Sequence, residues 1–248
     1  MKTKRLIKRA LLFSLMLTLL LAVPTFAATK KTKALKAYSK MLSKKKLAIL
    51  PIGTKMLVGD GYEKYNTKSK LSSAYFAIAY IDNDSIPELV VTKKENYSWK
   101  WGGDDFGTYD FSLLAIYTWK KGKVRRIAYE GSGSMFNRPS FGGYYKKKGV
   151  YVIKWKPESN EGIFQDYYYK MNGNNKPAEI LYYFHDTDYE YDPDEGEYDG
   201  APDEYHVNRK VVSKVQYLNA YRKATSGTKL TRVIFRKNTK KNRKKYLK

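Results

Sequence analysis

Residues 74–91 read Ala-Tyr-Phe-Ala-Ile-Ala-Tyr-Ile-Asp-Asn-Asp-Ser-Ile-Pro-Glu-Leu-Val-Val, two apolar runs joined by the stretch Asp82 to Glu88. Asn, Asp and Ser side chains bond to nearby backbone amides and so favour turns, and runs of this kind on either side of them predict a β-hairpin. Along a strand, side chains alternate between faces. Ala74, Phe76, Ile78 and Tyr80 then fall on one face and Tyr75, Ala77, Ala79 and Ile81 on the other. With apolar residues on both faces, this strand is expected to be buried on both sides.

Working outward, the same grammar recurs. Ser112–Trp119 and Val124–Tyr129 flank Lys120-Lys121-Gly122-Lys123, and Gly143–Tyr145 and Val150–Trp155 flank Lys146-Lys147-Lys148-Gly149. Phe164–Met171 and Ala178–Phe184 flank Asn172 to Pro177, and Tyr205–Val207 and Val211–Val212 flank Asn208-Arg209-Lys210. Each is a hairpin signal. Two helices interrupt them. Ala34–Leu47 places Leu35, Tyr38, Met41 and Leu42 along one face with Lys on the other, an amphipathic pattern that suits packing on a sheet or lying on an anionic lipid surface. Ser213 and Gln216 form a capping box before a helix from Lys214 to about Ala224, which Thr225-Ser226-Gly227 ends. Thr231–Arg236 reads as one more strand. The fold class predicted is α+β, mostly an antiparallel β meander of hairpins with an N-terminal amphipathic helix and a C-terminal helix.

The turn at 82–88 also carries three carboxylates, Asp82, Asp84 and Glu88, in a spacing like that of a calcium loop. An EF-hand-like loop wants oxygens at positions 1, 3 and 5, a Gly at 6 and a later carboxylate. With Asp82 and Asp84 at 3 and 5, Glu88 falls at 9, while Tyr80 and Ser85 occupy positions 1 and 6. One carboxylate and the turn glycine are missing, so the expectations are a hairpin staple or a weak Ca2+ site.

The N-terminus begins with basic residues, followed by the uncharged run Ala10–Val23 and the small residues Thr25 and Ala27. This is the plan of a secretory signal peptide cleaved after Ala27. Residues 28–236 are then expected to form a single β-rich globular domain, with 186–204 as an acidic mobile loop and 237–248 as a basic tail. The chain has no cysteine, which excludes disulfides, thiol catalysis and thiolate metal sites.

The 48 Lys and Arg outnumber the 24 Asp and Glu, and they are segregated. From Lys30 to Lys55 there are nine Lys and no acid; from Asp186 to Glu204, ten acids and no base; from Tyr205 to Lys248, fifteen Lys or Arg and no acid. Blocks of one sign are available to an oppositely charged polymer. For an exported chain the partners are an anionic cell-wall polymer, such as a teichoic acid, or the membrane surface. No helix-turn-helix, zinc or RNP-like pattern occurs, and no nucleic acid is expected.

Three segments together carry a resemblance: the Asp-rich turn before Ile-Pro-Glu-Leu; Gly-Ser-Gly-Ser at 131–134 ahead of the Tyr-Tyr-Lys-Lys-Lys-Gly hairpin; and Val-Asn-Arg-Lys-Val-Val-Ser leading into a helix. They resemble a group of uncharacterised exported surface proteins of clostridial-type Gram-positive bacteria, whose loop is a fuller Asp-x-Asp/Asn-x-Asp-Gly-x-Pro-Glu-Leu. The resemblance implies location and fold more than activity.

Catalytic patterns are sparse. The two histidines are His185 and His206. His185 begins His-Asp-Thr-Asp, which reads as a solvated loop, and Gly131 to Met135 is not a nucleophile elbow. The aromatic residues Trp99, Trp101, Tyr144 and Tyr168 are candidates for stacking on a glycan. The function expected is a non-enzymatic, monomeric, secreted cell-wall binding module with a glycan or protein ligand. The alternative is a secreted carbohydrate-active hydrolase using Asp/Glu pairs around 99–110 or 186–204.

Overall fold

The computed structural model describes residues 29–58, 61–101, 105–132, 138–157, 162–171, 177–187, 190–192 and 197–248. The signal segment and its cleavage point lie outside them. Helix α1 (29–42) is followed by the short strand β1 (Lys46–Leu47), the hairpin β2 (Thr54–Val58) and β3 (Gly61–Tyr65), and β4 (Ser69–Lys70), which pairs with β1. Then come β5 (Tyr75–Ala79), β6 (Glu88–Trp101), β7 (Asp105–Lys120) and β8 (Lys123–Ser132). The chain continues through β9 (Arg138–Tyr145), β10 (Val150–Lys156), β11 (Ile163–Lys170), β12 (Ala178–Asp186), β13 (Glu190–Asp192) and β14 (Glu197–Asp199). It ends with β15 (Glu204–Val207), β16 (Lys210–Val211), helix α2 (Lys214–Thr225), β17 (Leu230–Thr231), β18 (Arg236–Lys237) and helix α3 (Lys240–Tyr246).

Two antiparallel sheets dominate, of five strands in the order β18-β5-β6-β7-β8 and seven in the order β16-β15-β12-β11-β10-β9-β17. They pack face to face, because each has one apolar face to bury. Ala77, Ala79, Ile81, Val90, Leu114 and Ile116 of the five-stranded sheet meet Phe141, Tyr144, Tyr151 and Ile153 of the other. The opposite face of the five-stranded sheet, including Phe76, Leu89, Val91, Leu113 and Ala115, is covered by Ala34, Leu35, Tyr38, Met41 and Leu42 of α1. The outer face of the seven-stranded sheet is covered by α2, where Tyr221 packs against Tyr145, Val150 and Val152. The fold is α+β with four layers, and β5 lies between two of them, as its two apolar faces require.

The turn chemistry explains the hairpins. Lys121 and Gly122 join β7 to β8 with φ of 51° and 77°, and Asn208 and Arg209 join β15 to β16 with φ of 51° and 65°; paired left-handed residues match the twist of adjoining strands. At Gly143, φ is +138° and an added Cβ would lie 2.7 Å from the Thr231 carbonyl oxygen. Glycine lets β17 pair closely with β9 at this point, beside the register shift between Val152 and Ile153.

Several boundaries differ from the sequence reading. Helix α1 occupies 29–42, and residues 43–47 turn into β1, where Lys46 and Leu47 pair with Lys70 and Ser69 of β4. The 231–236 run splits into β17 and β18, which pair with different sheets; 232–235 cross between them, with Val233 and Phe235 against the intersheet core. The segment at 186–204, expected as a loop, holds the paired strands β13 and β14, in which Glu-Tyr-Asp occurs twice at strand spacing. Residues 237–248, expected as a tail, contain the end of β18 and helix α3, and Leu247 is buried in the same core as α1. Its apolar Tyr246-Leu247 end supplies the burial that a fully charged tail would lack.

Candidate functional site

The hairpin turn brings Asp82, Asp84 and Glu88 together, with one oxygen of each within 4.8 Å of the others. Two of them close the turn upon itself. Asp82 Oδ1 accepts from the Asp84 amide at 3.0 Å, and Asp84 Oδ1 accepts from the Ile86 amide at 2.8 Å. Glu88 does different work. It opens β6 opposite Ala79, is fully buried, and accepts from the Ile81 amide at 3.0 Å through Oε2 and from the Thr118 hydroxyl at 3.4 Å through Oε1. The Tyr38 hydroxyl donates to the Pro87 carbonyl at 2.8 Å, which ties α1 to the turn. Sequence reasoning did not find Tyr38 and Thr118 here, because they come from distant elements.

Burial raises the Glu88 carboxyl well above the usual range; the Asp82 charge adds to the rise and the Ile81 amide opposes it. Loss of water around the Asp84 carboxyl raises it to about 6, countered by the Ile86 amide and increased again by Asp82. The cluster thus favours protons or a cation over three bare charges. Calcium takes six to eight oxygens, so three carboxylates form only part of a shell and the rest would be backbone and water. The open cavity over the turn, about 520 Å³, is also lined by Lys31, Lys146 and Lys147, whose charges oppose a cation.

The proposed aromatic platform is dispersed. Tyr144 lies in the core between the sheets and is 6% exposed. Tyr168 packs edge-on against Tyr221 of α2 with ring centroids 5.7 Å apart. Trp99 and Trp101 stand in β6 opposite Gly107 and Asp105, and their side chains lie outside the described residues. The carboxylate side chains of 99–110 and of 188–199 also lie outside them. His185 Nδ1 is 2.7 Å from Asp203 Oδ1, and Asp203 Oδ2 accepts from the Tyr183 and Tyr205 hydroxyls. These bonds fix Asp203 on the sheet surface beside the stacked rings of Tyr183 and Tyr205.

The largest chemical coincidence involves residues far apart in sequence. Asn238, which is 5% exposed, donates through Nδ2 to the carbonyls of Leu42 and Leu71, both at 2.9 Å, and accepts from Arg243 Nη1 at 2.8 Å. Its own amide donates to the Ala74 carbonyl. The buried amide therefore joins the end of α1, the turn before β5 and α3. Thr239 caps α3 by accepting from the Asn242 amide. As a result Lys36, Lys40 and Lys44–Lys46 of the N-terminal lysine block share one face with Lys240, Arg243 and Lys244 of the C-terminus. A groove of about 510 Å³ runs along Lys44, Lys45, Lys46, Lys70 and Lys240, and a second of about 360 Å³ along Lys36, Lys40, Lys240 and Lys244. Ser43, Lys240 and Arg243 line both. Neither groove has an acidic lining residue, and among the described residues no ion pair involves these lysines.

Among the described residues no helix is long and apolar enough to cross a membrane. Compared with protein families, curated proteins and solved structures, the chain shows no match.

Proposed function

We propose that the chain is an exported, non-enzymatic binding module held by electrostatic attraction at an anionic cell-wall polymer or membrane surface, where it meets a glycan or protein ligand. The observation that carries this reading is the convergence of two basic blocks, nearly two hundred residues apart, on one acid-free face. Bringing like charges together destabilises a fold unless counter-ions or a polyanion neutralise them, and here a buried asparagine and a buried leucine hold the arrangement in place. Such attraction is screened by salt. The test is retention of residues 28–248 on isolated cell walls across a salt series. Strong retention at low salt that is lost at high salt supports the reading; absence of retention at low salt, or indifference to salt, overturns it.

A second reading, a weak Ca2+ site at Asp82, Asp84 and Glu88, is favoured by the proximity of their oxygens. Binding to the folded state must stabilise it. A melting temperature that is the same in chelator and in several millimolar calcium removes this reading. The hydrolase alternative needs two carboxylates facing across an open cleft, around 99–110 or 186–204; of these, Asp203 is bonded to His185, Tyr183 and Tyr205 and Glu204 to His206.

A further inference from the structure

The basic face has a shape as well as a charge. Its two grooves share Ser43, Lys240 and Arg243 and so form one continuous channel between α1, the 43–46 turn and α3. Each groove is of a volume usual for small-molecule sites, and both are shallow and open to solvent. An extended single chain can lie in such a channel. A nucleic acid duplex is read by elements that protrude into its grooves, which this surface does not offer.

The lining narrows the chemistry further. Neither groove is lined by Phe, Tyr or Trp, so there is no platform on which the bases of single-stranded nucleic acid would stack. The cations are lysines apart from Arg243. A planar carboxylate is best held by a free arginine fork, but Arg243 has one arm committed to Asn238. Lysine is a compact point charge that suits phosphate. Lys36 and Lys40 on α1, and Lys240 and Lys244 on α3, are each four residues apart, which sets cations about 6 Å apart along each wall. All four are exposed.

Resting on the reading above, we propose that this channel is a binding site for one extended strand of a phosphodiester-linked polyol polymer, with Lys36, Lys40, Lys240 and Lys244 contacting successive phosphates. The polymer's charge on every repeat matches cations of similar spacing along the two walls, and its flexible backbone can settle into an open channel between two helices.

The experiment is a binding titration of residues 28–248 with soluble poly(glycerol phosphate) at several salt concentrations. Polygalacturonate and a single-stranded oligonucleotide of equal charge serve as comparators. The phosphodiester polymer is expected to bind tightest, and each phosphate contact should contribute about −0.7 to the slope of log K against log salt. The double variant K40E/K244E should weaken binding at least tenfold at low salt and flatten that slope. K40Q/K244Q, a milder change, should do so to a smaller extent, while K170E/K229E, at the end of β11 and just before β17, should change it less than twofold. Equal or tighter binding of either comparator, or no effect of the channel variants, overturns the proposal. Wall retention separates the two ideas: variants that still bind walls in a salt-sensitive way refute this site and leave the retention reading standing, whereas a native chain that ignores walls at low salt refutes retention itself.

Discussion

Replacing Asn238 by Ala should unfasten the basic face. The side chain makes three hydrogen bonds of 2.8 to 2.9 Å, two donated to the carbonyls of Leu42 and Leu71 and one accepted from Arg243. Leu42 and Leu71 are at most 1% exposed, so water cannot readily replace the lost donor; the Leu71 carbonyl keeps the Ala74 amide, and the larger share of the cost falls on Leu42. A typical hydrogen bond contributes about 1 kcal/mol net, and a buried acceptor left without a partner costs about 1 to 3 kcal/mol. The bond to Arg243, nearer the surface, adds less. The expected loss is about 3 kcal/mol, which for a chain of this size corresponds to a fall of roughly 6 to 12 °C in melting temperature. Thermal and urea unfolding of N238A measure it. The control is N238D, which keeps an acceptor for Arg243 but places oxygens against both carbonyls. If donation to Leu42 and Leu71 is the source of the stability, N238D must be no more stable than N238A at neutral pH. An aspartate variant as stable as the native chain, or an alanine variant within about 0.5 kcal/mol of it, refutes the reasoning.

Four other outcomes are expected. Because Asp84 and Glu88 hold protons more readily folded than unfolded, the stability they confer is complete below about pH 4, and that of Asp84 is lost as the pH rises through about 6. E88Q removes the Glu88 share of this loss, so an unchanged stability profile in unfolding titrations between pH 4 and 8 would contradict it. Tyr151 is fully buried with a hydroxyl that has no partner among the described residues, so Y151F should be neutral or stabilising by up to about 2 kcal/mol in urea unfolding. G143A places a Cβ 2.7 Å from the Thr231 oxygen and should release β17 from β9, seen as faster amide exchange at Leu230 and Thr231. S213A removes the side chain that accepts from the Gln216 amide and should cost about 1 kcal/mol in urea unfolding, most of it from the start of α2.

Much of the fold was legible because its signals are local. The hairpins followed from Lys-Gly and Asn-Arg turns, α2 from its capping box, and the double burial of β5 from two apolar faces in one run. The errors arose where long-range packing decides. A run at 231–236 is one strand by composition, but two sheets compete for its ends and each takes two residues. The C-terminus looks like a tail because ten of its residues are polar or charged, and a single leucine and a single asparagine suffice to dock it. The same limit applies to the site. Spacing showed that Asp82, Asp84 and Glu88 share a turn, but not that Glu88 points inward to Ile81 and Thr118. The charge blocks were visible as blocks, while their meeting on one face depends on contacts from Asn238 that no local pattern encodes.

The account rests on that face as the element that holds the protein to a polyanion. The most direct measurement is retention of native and K40E/K244E chains, side by side, on isolated walls at low and high salt, with their melting temperatures matched. The account predicts that the native chain is retained at low salt and released at high salt, and that the variant is largely lost already at low salt. Equal retention of the two chains, or retention of the native chain that does not change with salt, would contradict it.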